Sequence, residues 1–311
     1  MKELALTPTQ NLFSASLKDS WLKFSRVTEK SQKTYDTAVK QFFKYLADNH
    51  IATPVKEDIV NWVDSLIAAK KSASTVNIYL AATKLFFRWT ADEGIYPNIA
   101  DRVKSGVKIS REHKKDPLST KQGADLLKAI TGNDAIACRN RAFVALMLVT
   151  GLRTIEISRA NCGDICEISG RHYLKVRGKG RADAAEMVLL PTQVYNLIVA
   201  YIKTRGNVSA ESPLFVSYSK RNAGARLSTQ SISKLTKGYL RQIGLDSRRY
   251  TAHSLRHTSA VQMILCGVDV FKVQAVLRHK KIDTTMIYAD FVNRLKNTAE
   301  QTAADAFFAA M

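Results

Sequence analysis

His253-Ser254-Leu255-Arg256-His257 is followed, one short helical segment later, by Leu277-Arg278-His279-Lys280-Lys281-Ile282-Asp283-Thr284-Thr285-Met286-Ile287-Tyr288. A phenol, imidazoles and an arginine thus gather late in a chain of 311 residues that carries a formal charge of +20. Tyrosine titrates near pH 10, so about one phenol in a thousand is phenolate at neutral pH, and a nucleophilic role needs cations around the oxygen or a base beside it. The neighbours here are of that kind, and together they suit attack on a phosphodiester.

His253 and Arg256 stand one helical turn apart and project from one face near a helix start. A helix N-terminus favours anions, and arginine offers phosphate a fork of donors. His253 and His257 also have the i, i+4 spacing of a zinc pair or of packed core histidines. A zinc site is disfavoured, because Arg256 would sit between the ligands with no carboxylate beside them. His279 and Tyr288 are nine residues apart, which on one unbroken helix puts them on opposite sides. Facing one phosphate therefore requires a break after His279. Lys280-Lys281 suits the end of the first helix, and Asp283 or Thr284 can cap the second.

The length exceeds that of a typical domain of about 100–200 residues, so two domains are expected. The balance of 47 Lys+Arg against 27 Asp+Glu points to a polyanionic partner, nucleic acid first and an acidic membrane second. Of these, 16 basic and 11 acidic residues precede position 111, leaving 31 and 16 after it, so the parts carry +5 and +15. No run of 18 apolar residues is present to span a bilayer. The opening Met1-Lys2-Glu3-Leu4-Ala5-Leu6 contains an acid and no long apolar stretch, unlike a signal peptide, and a cytoplasmic location is expected. Cys138, Cys162, Cys166 and Cys266 are scattered, with no second pair to complete a zinc site, and read as reduced thiols.

Residues 12–25, Ser31–Asn49, Lys56–Lys70 after Pro54, and Ser74–Glu93 before Gly94 read as four helices. In the last, Val76, Tyr79, Leu80, Thr83, Phe86, Phe87 and Thr90 recur at helical spacing and are expected to face a core. The charged stretch from Asp101 to Pro117 reads as a linker, either a solvated strap or a track along a phosphate backbone. Helices are then expected at 119–131 and Arg139–Val149, the latter apolar nearly all round and so buried. His172 to Arg177 alternates with period two, Gly178-Lys179-Gly180 turns, and Met187 to Leu190 returns, a hairpin signature. Further helices read at about 192–204, 229–243, 253–266 and 269–278. The fold is expected to be mainly α with a small β-hairpin in the C-terminal domain. Arg153, three residues before Glu156, and Lys179, at the hairpin tip, are by themselves ordinary solvated charges.

Taken in order, Arg153, Lys179, His253, Arg256, His279 and Tyr288 resemble the active-site set of the tyrosine recombinases, the phage-integrase and Xer-like family. Thr150-Gly151-Leu152-Arg153-Thr154-Ile155-Glu156 resembles its first arginine motif, Gly178-Lys179-Gly180 its hairpin lysine, and His253-Ser254-Leu255-Arg256 its His-x-x-Arg motif. Leu277-Arg278-His279 and Thr284 to Tyr288 resemble the last two. Two departures stand out. Arg278 occupies the place where the family commonly has glycine, so it alters the helix end or adds a phosphate contact; the turn after Lys179 is longer and carries Asp183 and Glu186, which makes Lys175 the fallback for the lysine role.

The resemblance implies a helical, SAM-like core-binding domain over 1–108, a linker over 109–117 and an α+β catalytic domain over 118–311 that together clamp duplex DNA. It implies site-specific recombination: Tyr288 attacks a phosphodiester to give a 3′-phosphotyrosine, Arg153 and Arg256 hold the nonbridging oxygens, Lys179 protonates the leaving 5′-oxygen, His253 acts as acid/base and His279 donates to phosphate. Strand exchange passes through a Holliday junction, with no cofactor, metal or ATP. The implied partners are double-stranded DNA bearing specific sites, further copies of the chain in a tetramer, and any accessory protein. The short sequence before the first helix suggests a two-domain recombinase without an arm-binding domain. A type IB topoisomerase shares this chemistry on one duplex, and a noncatalytic DNA-binding regulator would share the scaffold but lose Tyr288 or an arginine. A metal-dependent nuclease is disfavoured, since no carboxylate cluster accompanies the motifs. The helix-prone tail, Thr302 to Met311 with Phe307 and Phe308, either covers its own domain or, as is common in the family, docks into a neighbouring protomer.

Overall fold

Hydroxyl side chains start most helices of the N-terminal part. The computed structural model describes residues 13–108, 115–177 and 185–311, and the chain divides into two units, Met1–Ser110 and Arg111–Met311. The first holds α1 (Ala15–Phe24), α2 (Glu29–Asp48), α3 (Lys56–Ala68) and α4 (Ala73–Asp92). Ser14, Thr28 and Ser72 each accept a hydrogen bond from a backbone N–H of the first turn, satisfying a donor the helix cannot. The start expected at Ser31 falls two residues earlier because Thr28 is the cap and Ser31 its donor, at 3.4 Å. Val76, Leu80, Thr83, Phe86, Phe87 and Thr90 of α4 are buried, as their spacing predicts. Phe42 of α2 meets Phe87 edge-on at 5.7 Å and Trp62 of α3 at 5.0 Å, the arrangement aromatic quadrupoles favour.

The second unit opens with α5 (Thr120–Lys128), α6 (Ala135–Thr150) and α7 (Thr154–Arg159). α6 is buried almost throughout. It starts four residues before the expected Arg139, because Asp134 caps it by accepting from Ala137 N at 2.7 Å. Arg139 and Asn140, in the next turn, are polar yet buried: the guanidinium donates to Asn140 Oδ1 and to the Val216 carbonyl, each at 2.9 Å.

The expected hairpin is the larger part of a three-stranded antiparallel sheet, β1 (Ile165–Ile168), β2 (Arg171–Arg177) and β3 (Ala185–Leu189), in that spatial order. β1 escapes a periodicity reading because it has four residues. Its turn, Ser169-Gly170, has φ of 51° and 73°, the two positive angles of a tight hairpin turn whose twist matches the strands. Leu174 stands opposite Val188 and Val176 opposite Glu186; the buried Leu174, Val176 and Val188 mark this as the face turned to the core.

α8 (Thr192–Lys203) and α9 (Thr229–Gln242) lead to α10 (Ala252–Leu265), α11 (Val270–Leu277), α12 (Asp283–Lys296) and α13 (Ala299–Ala309). α10 is the central element, packing on α6, α9, α11 and α12. The tail helix α13 does not cover its own unit: it buries none of its residues, and Phe307 and Phe308 are 76% and 73% exposed. Among the described residues no helix is long and apolar enough to cross a membrane.

Candidate active site

α6 ends at Gly151, whose φ of 64° lies in the left-handed region. A Cβ there would lie 2.5 Å from Leu277 Cδ2, so both the left-handed backbone and the crowding against the Leu277 side chain favour glycine. Two residues on, Arg153 caps α7: its backbone N–H donates to Glu156 Oε2 at 2.8 Å and its guanidinium to Oε1 at 2.9 Å. The Glu156 side chain is wholly buried, whereas that of Arg153 is 34% exposed.

Arg256 projects from the second turn of α10, is 2% exposed, and donates to the carbonyls of Gly151 and Leu277. The first carbonyl lies two residues before Arg153 and the second two before His279, so one guanidinium ties together both segments. Burial lowers its pKa to about 10; nearby Arg153 adds to the shift and Glu156 opposes it.

After Leu277 the chain turns at Arg278, with φ of 56°, and the His279 N–H donates to the Gln274 carbonyl at 3.1 Å. The break predicted between His279 and Tyr288 is present, but its details differ from expectation. No basic residue lies in the last turn of α11, where Arg278 itself takes the cap position. Neither Asp283 nor Thr284 caps α12: Ile282 holds that position without a side-chain bond. Its carbonyl accepts from Thr285 N and Met286 N at 2.6 and 2.9 Å, closing the turn through the backbone alone. Asp283 instead sits in the first turn, where its charge complements the positive end of the helix dipole. Thr285, fully buried, places Oγ1 2.8 Å from His279 Nδ1.

Four rings line up beside these cations. His279 and Tyr288 lie 15° from parallel with centroids 6.4 Å apart, His257 is 5.3 Å from Tyr288, and His253 is 4.6 Å from His257. Tyr288 is 3% exposed, and burial pushes its pKa up to about 12 against the pull of Arg256 and Arg153. Burial also brings His279 down to about 4, reinforced by Arg256, Arg153, Arg278 and His253. The resting site is therefore a neutral phenol and a neutral imidazole beside two permanent cations, an arrangement suited to receiving a phosphate.

Residues 117–293, more than half of the chain, match the phage integrase family, and residues 16–95 match the phage integrase N-terminal SAM-like domain. The chain belongs to the phage integrase family. As a tyrosine recombinase it breaks and rejoins DNA at specific sites. The recombinase is 28% identical over 264 residues to tyrosine recombinase XerC of Thermodesulfovibrio yellowstonii, covering 82% of this chain and 84% of that relative. It is 30% identical over 241 residues to XerC of Chlamydia trachomatis, covering 78% and 74%. Its fold is similar to that of XerH bound to a palindromic difH substrate in a post-cleavage complex, with a TM-score of 0.74 at 19% identity over 94% of this chain and 85% of that one. It also resembles a lambda integrase dimer bound to a COC′ core site, with a TM-score of 0.66 at 19% identity over 88% and 94%.

Of the residues singled out in the recombinase sequence, Arg153, His253, Arg256, His279 and Tyr288 come together here, and Lys179 lies outside the described residues. Lys175, the fallback, is exposed and stands opposite Met187. Side chains alternate along a strand, so it points away from the face carrying Val176 and Glu186, and Glu186 is the residue that reaches the arginine cluster, 3.4 Å from Arg278 Nε. Three further residues belong to the site: Glu156, His257 and Thr285. Glu156 was signalled by its i, i+3 spacing from Arg153 and His257 by its place beside Arg256; nothing local distinguished Thr285 from Thr284.

Proposed function

We propose that Tyr288 is the nucleophile of a metal-independent and ATP-independent strand exchange. Its Oη forms a bond to the scissile phosphorus as the bond from phosphorus to the 5′-oxygen breaks, leaving a 3′-phosphotyrosine and a 5′-hydroxyl. The phenolic proton passes to the exposed His253 at the rim, and Lys179 supplies the proton for the 5′-oxygen. Arg153 and Arg256 hold the nonbridging oxygens as charge develops, the work that preorganised donors do best in a dry site. Arg256 commits two of its five N–H groups to backbone carbonyls and has three left for phosphate. A Thr285 hydroxyl donating to Nδ1 fixes the neutral His279 as the Nε2–H tautomer, which donates to the same phosphate. The phosphotyrosine conserves the energy of the broken bond, so a 5′-hydroxyl from a second duplex can attack it and release Tyr288. Two such exchanges pass through a Holliday junction.

The observation that carries this reading is the placement of Tyr288 against His257 and His279, within the electrostatic reach of Arg153 and Arg256. XerH is bound to a palindromic difH substrate; the substrate class proposed here is likewise a duplex with inverted half-sites, bound in the cytoplasm at the nucleoid and synapsed by four copies of the chain. Residues 1–108 form the core-binding domain, 109–117 the linker and 118–311 the catalytic domain. The test is to trap the protein on duplexes nicked just beyond the cleavage position and to map the DNA-linked peptide by mass spectrometry. Linkage through the Tyr288 phenol to a 3′-phosphate is expected; linkage to a 5′-phosphate or to another side chain would overturn the reading.

A further inference from the structure

Arg278 stands where the chain turns left-handed after α11, with φ of 56° and ψ of 47°, a conformation disfavoured for any residue with a Cβ. Its side chain is 9% exposed, and both terminal nitrogens are held. One Nη donates to the Val276 carbonyl at 2.6 Å, the other meets Glu156 Oε2 at 2.9 Å, and Nε lies 3.4 Å from Glu186 Oε2 on β3. Glu156 is the carboxylate that also holds Arg153, so two guanidiniums share one buried anion. That sharing decides how Arg153 is held. Oε2 is occupied by Arg278 and by the Arg153 backbone N–H, which leaves Oε1 alone for the Arg153 guanidinium. A carboxylate facing a single guanidinium frequently grips it through both oxygens, which consumes its fork and offsets its charge.

We propose that Arg278 is a positioning residue for strand cleavage: it restrains the Glu156 carboxylate so that Arg153 keeps most of its N–H groups, and an uncancelled positive charge, for the scissile phosphate. The inference rests on Arg153 being a phosphate ligand, as proposed above. The Glu186 carboxylate adds a second negative charge beside Arg278, 3.4 Å from its Nε.

The test compares Arg278→Gly, Arg278→Gln and Arg153→Ala in the full chain, by single-turnover cleavage of nicked duplexes with either a phosphate or a neutral methylphosphonate at the scissile position. Duplex binding and thermal midpoints are measured alongside. Glycine suits the left-handed backbone, so Arg278→Gly is expected to melt no lower than the parent and to bind duplex equally well. Its cleavage of the phosphate should nevertheless fall roughly 10- to 100-fold, the range expected when an active-site donor is displaced by about 1 Å. The neutral substrate has no nonbridging charge to balance, so the defects of both Arg278 variants should shrink on it in parallel with that of Arg153→Ala. Wild-type cleavage of the phosphate by Arg278→Gly and Arg278→Gln would overturn the proposal. So would equal defects on both substrates while Arg153→Ala is rescued. Failure of the neutral substrate to help Arg153→Ala would instead remove the phosphate role of Arg153, and the proposal with it.

Discussion

The imidazole of His279 lies nearly parallel to the phenol of Tyr288, although the two are nine residues apart and would face opposite ways on one helix. The left-handed turn at Arg278 and the fresh start of α12 at Asp283 bring them to one side. Because burial holds the phenol near pKa 12, the side chain is protonated until a substrate and a base arrive. Tyr288→Phe removes only the phenolic oxygen, the nucleophile proposed above. It should bind duplex DNA with unchanged affinity in a gel-shift assay and form no covalent adduct on a nicked substrate in a denaturing gel. Persistent adduct would mean that another residue attacks.

His279 makes stability depend on pH in a definite window. Its pKa is about 4 in the folded protein against an ordinary 6.5. Above 6.5 it is neutral folded or unfolded and adds no slope. As pH falls from 6.5 toward 4, the unfolded chain takes up a proton that the folded chain refuses, so stability falls; below 4 the slope disappears. His279→Gln should therefore lose less thermal stability than the parent between pH 6.5 and 4. Parallel melting curves for the two proteins across that range would show that His279 is not buried neutral.

The two arginines should separate by stability rather than by rate. Removing either should slow cleavage by roughly 10²–10³-fold, the typical cost of one transition-state donor. Arg256→Ala also leaves the Gly151 and Leu277 carbonyls without their donor, at about 1–3 kcal/mol for each buried group. Arg153 is a third exposed, and Glu156 keeps Arg278 as a partner when it is gone. Denaturant titration should show a clear loss for Arg256→Ala and a small one for Arg153→Ala; the reverse order would place the structural clamp at Arg153.

How much of this was legible in the sequence follows from how local each signal is. Val76, Leu80, Phe86 and Phe87 announce a core face because 3.6 residues per turn is a property of one segment. His253 and Arg256 share a face for the same reason, and the break between His279 and Tyr288 is a local necessity. Glu156 is different. Its pairing with Arg153 follows helical spacing, but its second partner, Arg278, lies 122 positions along the chain, and no spacing rule links those two. Sequence cannot place the cap of α12, because a polar side chain at the right position is only permission to cap, while the backbone bonds to the Ile282 carbonyl already close the turn. β1 escapes periodicity because four residues give period two too little room, although Ser169-Gly170 carries a turn signal.

The charge of +20 makes a prediction about binding rather than chemistry. Each phosphate neutralised on duplex DNA releases counterions, so log affinity should fall by about 0.9 per contact for each tenfold rise in salt. A steep, linear plot from fluorescence anisotropy is expected. A flat one would exclude extensive phosphate contact.

The tail offers the test of assembly. α13 leaves Phe307 and Phe308 more than 70% exposed, and no residue of the helix is buried against its own unit. Two aromatic rings on a terminal helix are unfavourably exposed to water, and their full burial is worth roughly 3–6 kcal/mol in transfer terms before ordering costs. In the proposed assembly of several copies on one DNA, a second copy would supply that burial. Because the rings stabilise nothing within the protomer, deleting residues 302–311 should leave the thermal midpoint and the affinity for a single half-site unchanged. Cooperative filling of paired half-sites, and the synapsis that follows, should weaken. Analytical ultracentrifugation and native gels of the truncated protein on one-site and two-site duplexes would read the two effects separately. Normal cooperativity without the tail would mean that the exposed phenylalanines take no part in assembly, and a lowered midpoint would mean that they cover their own unit after all.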